Sequence, residues 1–187
     1  ILLYVASLVF LYGEAQNITN ITAIIISLLT ATIIGLVDDM IGWKIGLRIR
    51  YKILLTFFIA LPIMVINVGD PTMTFPFIGA IDFGLLYTLM VIPVAIMGTS
   101  NGFNMIAGYN GLEAGMGAII LFAMGYLSFL SGTSYLGIIS LIMIASLLAF
   151  LIFNKYPAKV FPGDILTYTI GALIAIIAIM ANIEKFA

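Results

Sequence analysis

The 187-residue sequence contains no cysteine and no histidine, and only 8% of its residues are charged. Each scarcity excludes something. Without cysteine there is no disulfide framework and no thiolate metal site. Without histidine the commonest general base and the usual zinc ligand are gone. Any catalysis must run on carboxylates, amides, lysines and a hard metal. The charged fraction lies far below the roughly 25% of a soluble domain, while 64% of the residues are hydrophobic. The net charge of −1 carries no information on orientation, which depends on where lysine and arginine fall.

What is present is apolar length. A helix needs about 20 apolar residues to span a bilayer. Hydropathy and chain breakers predict helices near 1–13, 20–38, 51–68, 84–100, 112–131, 135–153 and 165–183. The expected fold is an all-α polytopic membrane protein with about seven transmembrane helices. Residues 69–83, "GDPTMTFPFIGAIDF", alternate weakly and hold two prolines, which suits a small extracytoplasmic hairpin or loop. The chain opens at Ile1 within an apolar run, with no charged leader segment, so it does not read as a signal peptide. The expectation is one integral-membrane domain over 1–187, incomplete at both ends.

The basic residues give a sidedness. Lys44, Arg48, Arg50 and Lys52 fall in or beside the 39–52 loop, and Lys155 and Lys159 in the 154–163 loop. Four predicted helices separate the two loops, so both emerge on one side, which the positive-inside rule makes cytoplasmic. The predicted outer loops 14–19, 69–83 and 132–134 hold no lysine or arginine. By the same parity the 101–111 loop is cytoplasmic. Three polar clusters thus converge on one membrane surface: Asp38 and Asp39, the stretch "SNGFNMIAGYNGLEAG", and Asp164.

Each cluster has an ordinary reading and a functional one. Asp38 and Asp39, in "GLVDDMIGWK", are placed at a helix C-terminus, where carboxylates are disfavoured by up to about 1 kcal/mol each. Either they are a hydrated helix end balanced by nearby basic residues, or a cation or lysine-anchored phosphate intervenes. Asn101 and Asn104 share a helix face, and a buried unpaired amide costs about 1–3 kcal/mol, so these amides need partners. An amide oxygen is a good Mg²⁺ ligand. Gly108 and Gly111 permit tight turns and close approach of a ligand, while Asn110 and Glu113 also suit plain turn and cap chemistry. Asp164 opens the last helix and could be an N-cap, although a helix N-terminus also seats phosphate. Phe161 stacks on a base or anchors the loop. Lys155 and Lys159 read as positive-inside residues. The inventory suits magnesium and phosphate chemistry at a membrane face. Transport would place polar groups near the bilayer midplane, and nothing ionisable accompanies the helix-interrupting Pro62 and Pro93.

Three motifs, in this order and spacing, resemble the polyprenyl-phosphate N-acetylhexosamine-1-phosphate transferases, most closely the dolichyl-phosphate GlcNAc-1-phosphate transferases of archaea and eukaryotes. "GLVDDMIG" with "GLRIRYK" resembles the family's aspartate pair and downstream lysine. "SNGFNMIAGYNGLEAG" resembles its asparagine-rich loop, the "NGLEAG" ending favouring the dolichol branch. "NKYPAKVFPGD" resembles that branch's third motif. The resemblance implies an enzyme that transfers GlcNAc-1-phosphate from UDP-GlcNAc to a polyprenyl (dolichyl) phosphate, releasing UMP, with Mg²⁺ or Mn²⁺. That reaction is the tunicamycin-sensitive first step of lipid-linked oligosaccharide assembly for N-glycosylation. It implies Asn104 and Asp164 as metal ligands, Lys52 as the holder of the lipid phosphate, and Gly108, Asn110 and Phe161 as the uridine pocket. Asp38 and Asp39 match the essential aspartate pair, and Asn101 and Glu113 accompany the site.

A phosphate monoester has its second pKa at about 6, so the nucleophile is already mostly dianionic. Asp38 and Asp39 are therefore expected to organise metal and lysine more than to remove a proton. The expected partners are UDP-GlcNAc, the carrier lipid, membrane lipid and a second copy of the chain, with no nucleic acid. The expected location is the archaeal cell membrane or the ER membrane, with the active site on the cytoplasmic face. The family normally has an earlier helix and loop that complete the nucleotide pocket and a later Arg- or His-rich loop, which are expected before Ile1 and after Ala187, so the sugar is not assigned. Lys155 stands where eukaryotic members tend to have an aromatic residue. Two alternatives stand beside this reading: a sister transferase using another UDP-sugar or carrier lipid, and a lipid or nucleotide-sugar transporter.

Overall fold

A computed structural model describes residues 15–42, 48–75 and 79–183. The expected helix over 1–13 and the side chain of Lys44 lie outside the described residues. Six α-helices are seen: α1 (Ala15–Gly42), α2 (Ile49–Val65), α3 (Ile92–Met105), α4 (Leu112–Leu130), α5 (Ser134–Asn154) and α6 (Gly163–Met180). Among the described residues, four stretches are long and apolar enough to cross a membrane: Asn17–Ile41 within α1, and α4, α5 and α6. The chain is a helical membrane protein. A π-helical turn, Tyr87–Val91, leads without a break into α3, with the Ile92 N–H donating to the Tyr87 carbonyl, and Pro93 follows directly after it. The segment expected as a hairpin forms one: β1 (Thr72–Phe75) pairs antiparallel with β2 (Gly79–Asp82), with Thr72 opposite Asp82 and Phe75 opposite Gly79.

Several boundaries differ from the sequence reading: the helix expected to end at 100 runs on to Met105, and the one expected over 51–68 ends at Val65, while both ends of α1 are extended. The segment 14–19, expected as an outer loop, is already helical from Ala15, and Asn20 is buried with its amide donating to the Tyr135 hydroxyl at 3.2 Å. At its other end α1 continues to Gly42, so Asp38 and Asp39 sit a turn inside the helix rather than at its end.

Helices prevail because a backbone in lipid must satisfy its own polar groups. The hydroxyls scattered through the apolar helices do the same locally. Thr22, Thr30, Thr32, Thr99, Ser128, Ser140, Ser146 and Thr169 each donate to the carbonyl four residues back. In lipid the sheltering of apolar surface drives little association, so packing rests on close backbone approach at small residues. Helix α6 is the axis of the bundle, with Ile170, Ala172, Leu173, Ile176 and Ile177 fully buried. It is approached from two sides at glycine. A Cβ on Gly35 of α1 would lie 2.5 Å from the Ile165 Cα, and one on Gly171 of α6 would lie 2.6 Å from the Thr99 carbonyl oxygen. Helices α4 and α5 form an antiparallel pair, in which Gly125 faces Ser140 and Gly137 faces the Phe129 ring.

The side-chain pairings fix which ends lie together. Lys52 at the start of α2 meets Asp38 near the end of α1 and Asp164 at the start of α6. Asn154 at the end of α5 meets Gly111 at the start of α4. At the opposite end Asn20 meets Tyr135, and the Asp70 amide donates to Asn182 Oδ1 at 2.8 Å. The three polar clusters therefore share one end of the bundle, and the hairpin lies at the other.

Candidate active site

Lys52 projects from the first turn of α2 between two carboxylates. Its Nζ lies 2.6 Å from Asp38 Oδ2 and 3.2 Å from Asp164 Oδ2, so those two oxygens are no more than about 6 Å apart. Asp38 is only 2% exposed, which excludes the reading of a hydrated helix end. A carboxylate this deeply buried needs a counter-charge and further hydrogen bonds. Lys52 supplies the charge, and the hydroxyl of the buried Tyr168, one turn beyond Asp164 on α6, donates to Asp38 Oδ2 at 3.2 Å. Tyr168 was not singled out in the sequence. Its i+4 spacing from Asp164 was the available signal.

Asp39 faces elsewhere. Its Oδ1 accepts the Asp164 N–H at 2.9 Å, and its Oδ2 accepts the Ile165 N–H at 3.3 Å. It caps α6 across the helix interface. The carboxylate placed unfavourably for the dipole of its own helix is thereby placed favourably for the N-terminus of the neighbouring one. Asp164, for which an N-cap role was open, is instead a first-turn residue whose side chain pairs with Lys52, and Pro162 at the cap position offers no side-chain bond. Gly163 makes the arrangement possible. Its φ of +62° is one that glycine readily adopts, and a Cβ there would lie 2.5 Å from Asp39 Oδ2.

The two asparagines of α3 part company. Asn101 is accounted for by packing: its Nδ2 donates to Thr56 Oγ1 of α2 and to the Met97 carbonyl, both at 2.8 Å. Asn104, one turn nearer the site, keeps its Nδ2 buried without a hydrogen-bond partner among the described residues. Because α3 and α6 run antiparallel past the Gly171 crossing, a rise of about 1.5 Å per residue brings Asn104 within a turn of the level of Asp164. An unpartnered amide at the level of a carboxylate cluster is what a bound ligand would complete.

The loop that follows displays its side chains and anchors its backbone. Gly108 (φ +125°) and Gly111 (φ +74°) take left-handed conformations, and Tyr109 to Leu112 close a turn through a 3.2 Å backbone bond. That is the turn role foreseen for Asn110, whose side chain is exposed. Glu113 is buried, and its Oε1 accepts the Gly108 N–H. Its Oε2 is buried without a partner among the described residues. Phe161 lies on the neighbouring loop, 56% exposed. Asn154, fully buried and not singled out in the sequence, joins the two loops. Its Oδ1 accepts the Gly111 N–H at 3.0 Å, and its Nδ2 donates to the Val160 carbonyl at 2.9 Å. Its presence as a lone amide ending the apolar run "LIFN" was the usable signal. Lys155 and Lys159 are exposed, as their positive-inside reading requires.

No three aspartate, glutamate, histidine or cysteine side chains group into a ready-made metal cage among the described residues. Magnesium does not need one. It is commonly held by one or two carboxylates, with waters and substrate phosphates completing the octahedron. Asp164 and the neighbouring Asp38 supply hard carboxylate oxygens that fit it, and Asn104 would add its amide oxygen; the Asn104 atom left without a partner among the described residues is Nδ2, a donor suited to a phosphate oxygen.

The chain is 46% identical, over 90% of its length, to a Saccharolobus solfataricus protein provisionally named a UDP-N-acetylglucosamine–dolichyl-phosphate N-acetylglucosaminephosphotransferase. It is 27% identical over 94% of its length to the Dictyostelium discoideum protein of that name, and 35% identical over 81% to the phospho-N-acetylmuramoyl-pentapeptide-transferase of Halalkalibacterium halodurans. It covers 52%, 50% and 49% of those proteins respectively, so the chain spans about half the length of the curated relatives it matches. The family model for glycosyl transferase family 4 matches residues 3–182, nearly the whole sequence, and the chain belongs to that family.

Proposed function

We propose that the full-length protein transfers GlcNAc-1-phosphate from UDP-GlcNAc to a polyprenyl (dolichyl) phosphate, yielding polyprenyl-diphospho-GlcNAc and UMP. The observation that carries this reading is Lys52 held between Asp38 and Asp164, at the bundle end where the asparagine-rich loop also emerges. The names of the archaeal and amoebal relatives supply the substrate pair. In this scheme an oxygen of the lipid phosphate attacks the sugar-bearing phosphorus of the diphosphate. The bond from that phosphorus to the bridging oxygen breaks, and UMP departs with the electron pair.

Both reactants are anionic, so their repulsion is the first barrier. Lys52, pivoting from its carboxylate partners, offers a positive anchor for the lipid phosphate and holds it in line. Asp164 and Asn104 would hold Mg²⁺ or Mn²⁺, which when bound supplies charge neutralisation at the diphosphate. Asp38 orients Lys52. Asp39 orients the first turn of α6 and, through it, Asp164. Neither aspartate is assigned proton removal, because the nucleophile is already mostly dianionic near neutral pH. Gly108, Asn110 and Phe161 form the uridine pocket, with the exposed phenyl ring available to stack on uracil.

We place this end of the bundle at the cytoplasmic face. Arg48, Arg50, Lys52, Lys155 and Lys159 all lie at it, whereas the segments 66–86 and 131–133 at the other end contain no basic residue. The same reading counts α2 and α3 as spans, together with the upstream segment, to give seven. It makes the reaction the first step of lipid-linked oligosaccharide assembly, carried out by a homodimer in the membrane.

The test is UMP release. Purified full-length protein given UDP-GlcNAc, polyprenyl phosphate and Mg²⁺ is expected to release UMP and form the lipid diphosphate, with chelator or tunicamycin stopping both. Turnover only with UDP-MurNAc-pentapeptide would shift the reading to the bacterial cell-wall branch. Accumulation of intact UDP-sugar in vesicles without bond cleavage would replace it with transport.

A further inference from the structure

Two loops flank the candidate nucleotide pocket, and one buried side chain holds both. Asn154 is fully buried. It accepts from the amide of Gly111, one residue beyond Asn110, and donates to the carbonyl of Val160, one residue before Phe161. Asn110 and Phe161 are therefore each one peptide away from the same carboxamide. Leu151 and the backbone of Lys155 close over Gly111, leaving a would-be Cβ there 3.3 Å from the Leu151 methyl. The Asn110 turn is thus seated on the end of α5 by packing as well as by hydrogen bonding.

From this geometry we propose that Asn154 is a positioning residue that sets the gap between the two walls of the nucleotide pocket. Asn110 and Phe161 lie on separate loops and have exposed side chains. Exposed loop residues hold a fixed separation only if their backbones are pinned, since each free backbone residue retains about 1–2 kcal/mol of conformational entropy. A carboxamide is the small side chain suited to the task. It offers an acceptor and a donor on opposite edges of one plane, one for an N–H and one for a C=O. Aspartate would keep the acceptor and lose the donor, and leucine would keep the volume and lose both. Glu113 supports the first wall independently by accepting the Gly108 amide. Among the described residues, Asn154 is the side chain that hydrogen-bonds to both walls.

The inference rests on the transferase reading, and the test separates the two. In the full-length protein, Asn154→Ala is expected to raise both the KM for UDP-GlcNAc and the Kd for UMP by about tenfold or more, the range typical of residues that orient a binding group. The kcat should stay within about threefold, and the KM for polyprenyl phosphate should not change. Asn154→Asp should fall between wild type and alanine in UMP affinity. A variant that merely loosens the bundle would move all the parameters together, and that result would overturn the proposal. So would unchanged UMP affinity in Asn154→Ala. If the alanine variant cannot be purified, the aspartate variant decides, with wild-type UMP affinity counting against the clamp. A wild-type protein that neither binds UMP nor releases it would instead remove the transferase reading itself.

Discussion

The two halves of the candidate site are built differently. The phosphate half stands on three helices, α1, α2 and α6, and is joined chiefly by charged side chains meeting side chains, Lys52 with Asp38 and Asp164 and Tyr168 with Asp38, with Asp39 adding a cap on the α6 backbone. The nucleotide half stands on two loops and is joined by side chains meeting backbone: Glu113 with Gly108, and Asn154 with Gly111 and Val160. The difference teaches a division of labour. Groups that must neutralise charge are aimed from rigid elements, where an error of about 1 Å is costly. Groups that recognise a planar base sit on loops whose shape is set by buried anchors. Changes in the first half should strike turnover, and changes in the second should strike nucleotide affinity.

The sharpest break in that comparison is Lys52→Met. Methionine keeps much of the stem and removes the ammonium, leaving Asp38 buried without its counter-charge. Turnover of the full-length enzyme is expected to fall by at least about 10²–10³, the range seen when one preorganised electrostatic group is lost. UMP affinity is expected to stay near wild type. Lys52→Arg should not restore the rate, because a planar fork cannot occupy the gap of a compact ammonium. The comparison of kcat with UMP binding checks both. A variant that loses UMP binding along with turnover would show that the halves are not separable.

Next in size is the cap that joins α1 to α6. Asp39→Asn keeps an acceptor for one amide and loses the charge, whereas Asp39→Ala loses both bonds. Gly163→Ala attacks the same contact from the other side, since its Cβ would collide with Asp39 Oδ2 and its φ would be strained. Asp39→Ala is expected to lower kcat by about 10–100-fold, as for residues that orient a direct ligand, with Asp39→Asn retaining more. Gly163→Ala should resemble Asp39→Ala. The double variant should be little worse than either single one, because both remove one contact. Full additivity in a double-mutant cycle would mean that Asp39 acts on something other than the start of α6.

How much of this was legible beforehand follows from the kind of physics involved. The apolar helices and the hairpin were readable because hydropathy and breakers are local properties. The convergence of the three clusters was readable because helix parity and basic loops are. The partners of Asp38 and Asp39 were not. Viewed along α1 alone, hydropathy ends the helix at Asp38, and two aspartates at that end look unfavourable. The compensating groups, Lys52 and the α6 N-terminus, are 14 and 125 residues away in the chain. The same limit hid Asn154, whose two bonds reach loops on either side of α5. Asn101 shows the converse. Its spacing with Asn104 suggested one shared role, but Thr56 on α2 takes its amide, and only Asn104 is left without a partner.

The smallest expected effect probes the seam inside the phosphate half. Tyr168→Phe removes one hydroxyl from a fully buried ring and leaves the packing in place. Asp38 then loses one of its donors but keeps Lys52. A single hydrogen bond to a charged group contributes about 1.5–3 kcal/mol at most, and only part of that reaches the transition state, because Lys52, already 2.6 Å from Asp38, still neutralises the carboxylate. The kcat is therefore expected to fall by no more than about tenfold, with the KM for UDP-GlcNAc unchanged and the thermal inactivation temperature slightly lowered. If Tyr168→Phe instead matched Lys52→Met, the hydroxyl would have to act on the reacting phosphates directly, and its role would not run through Asp38.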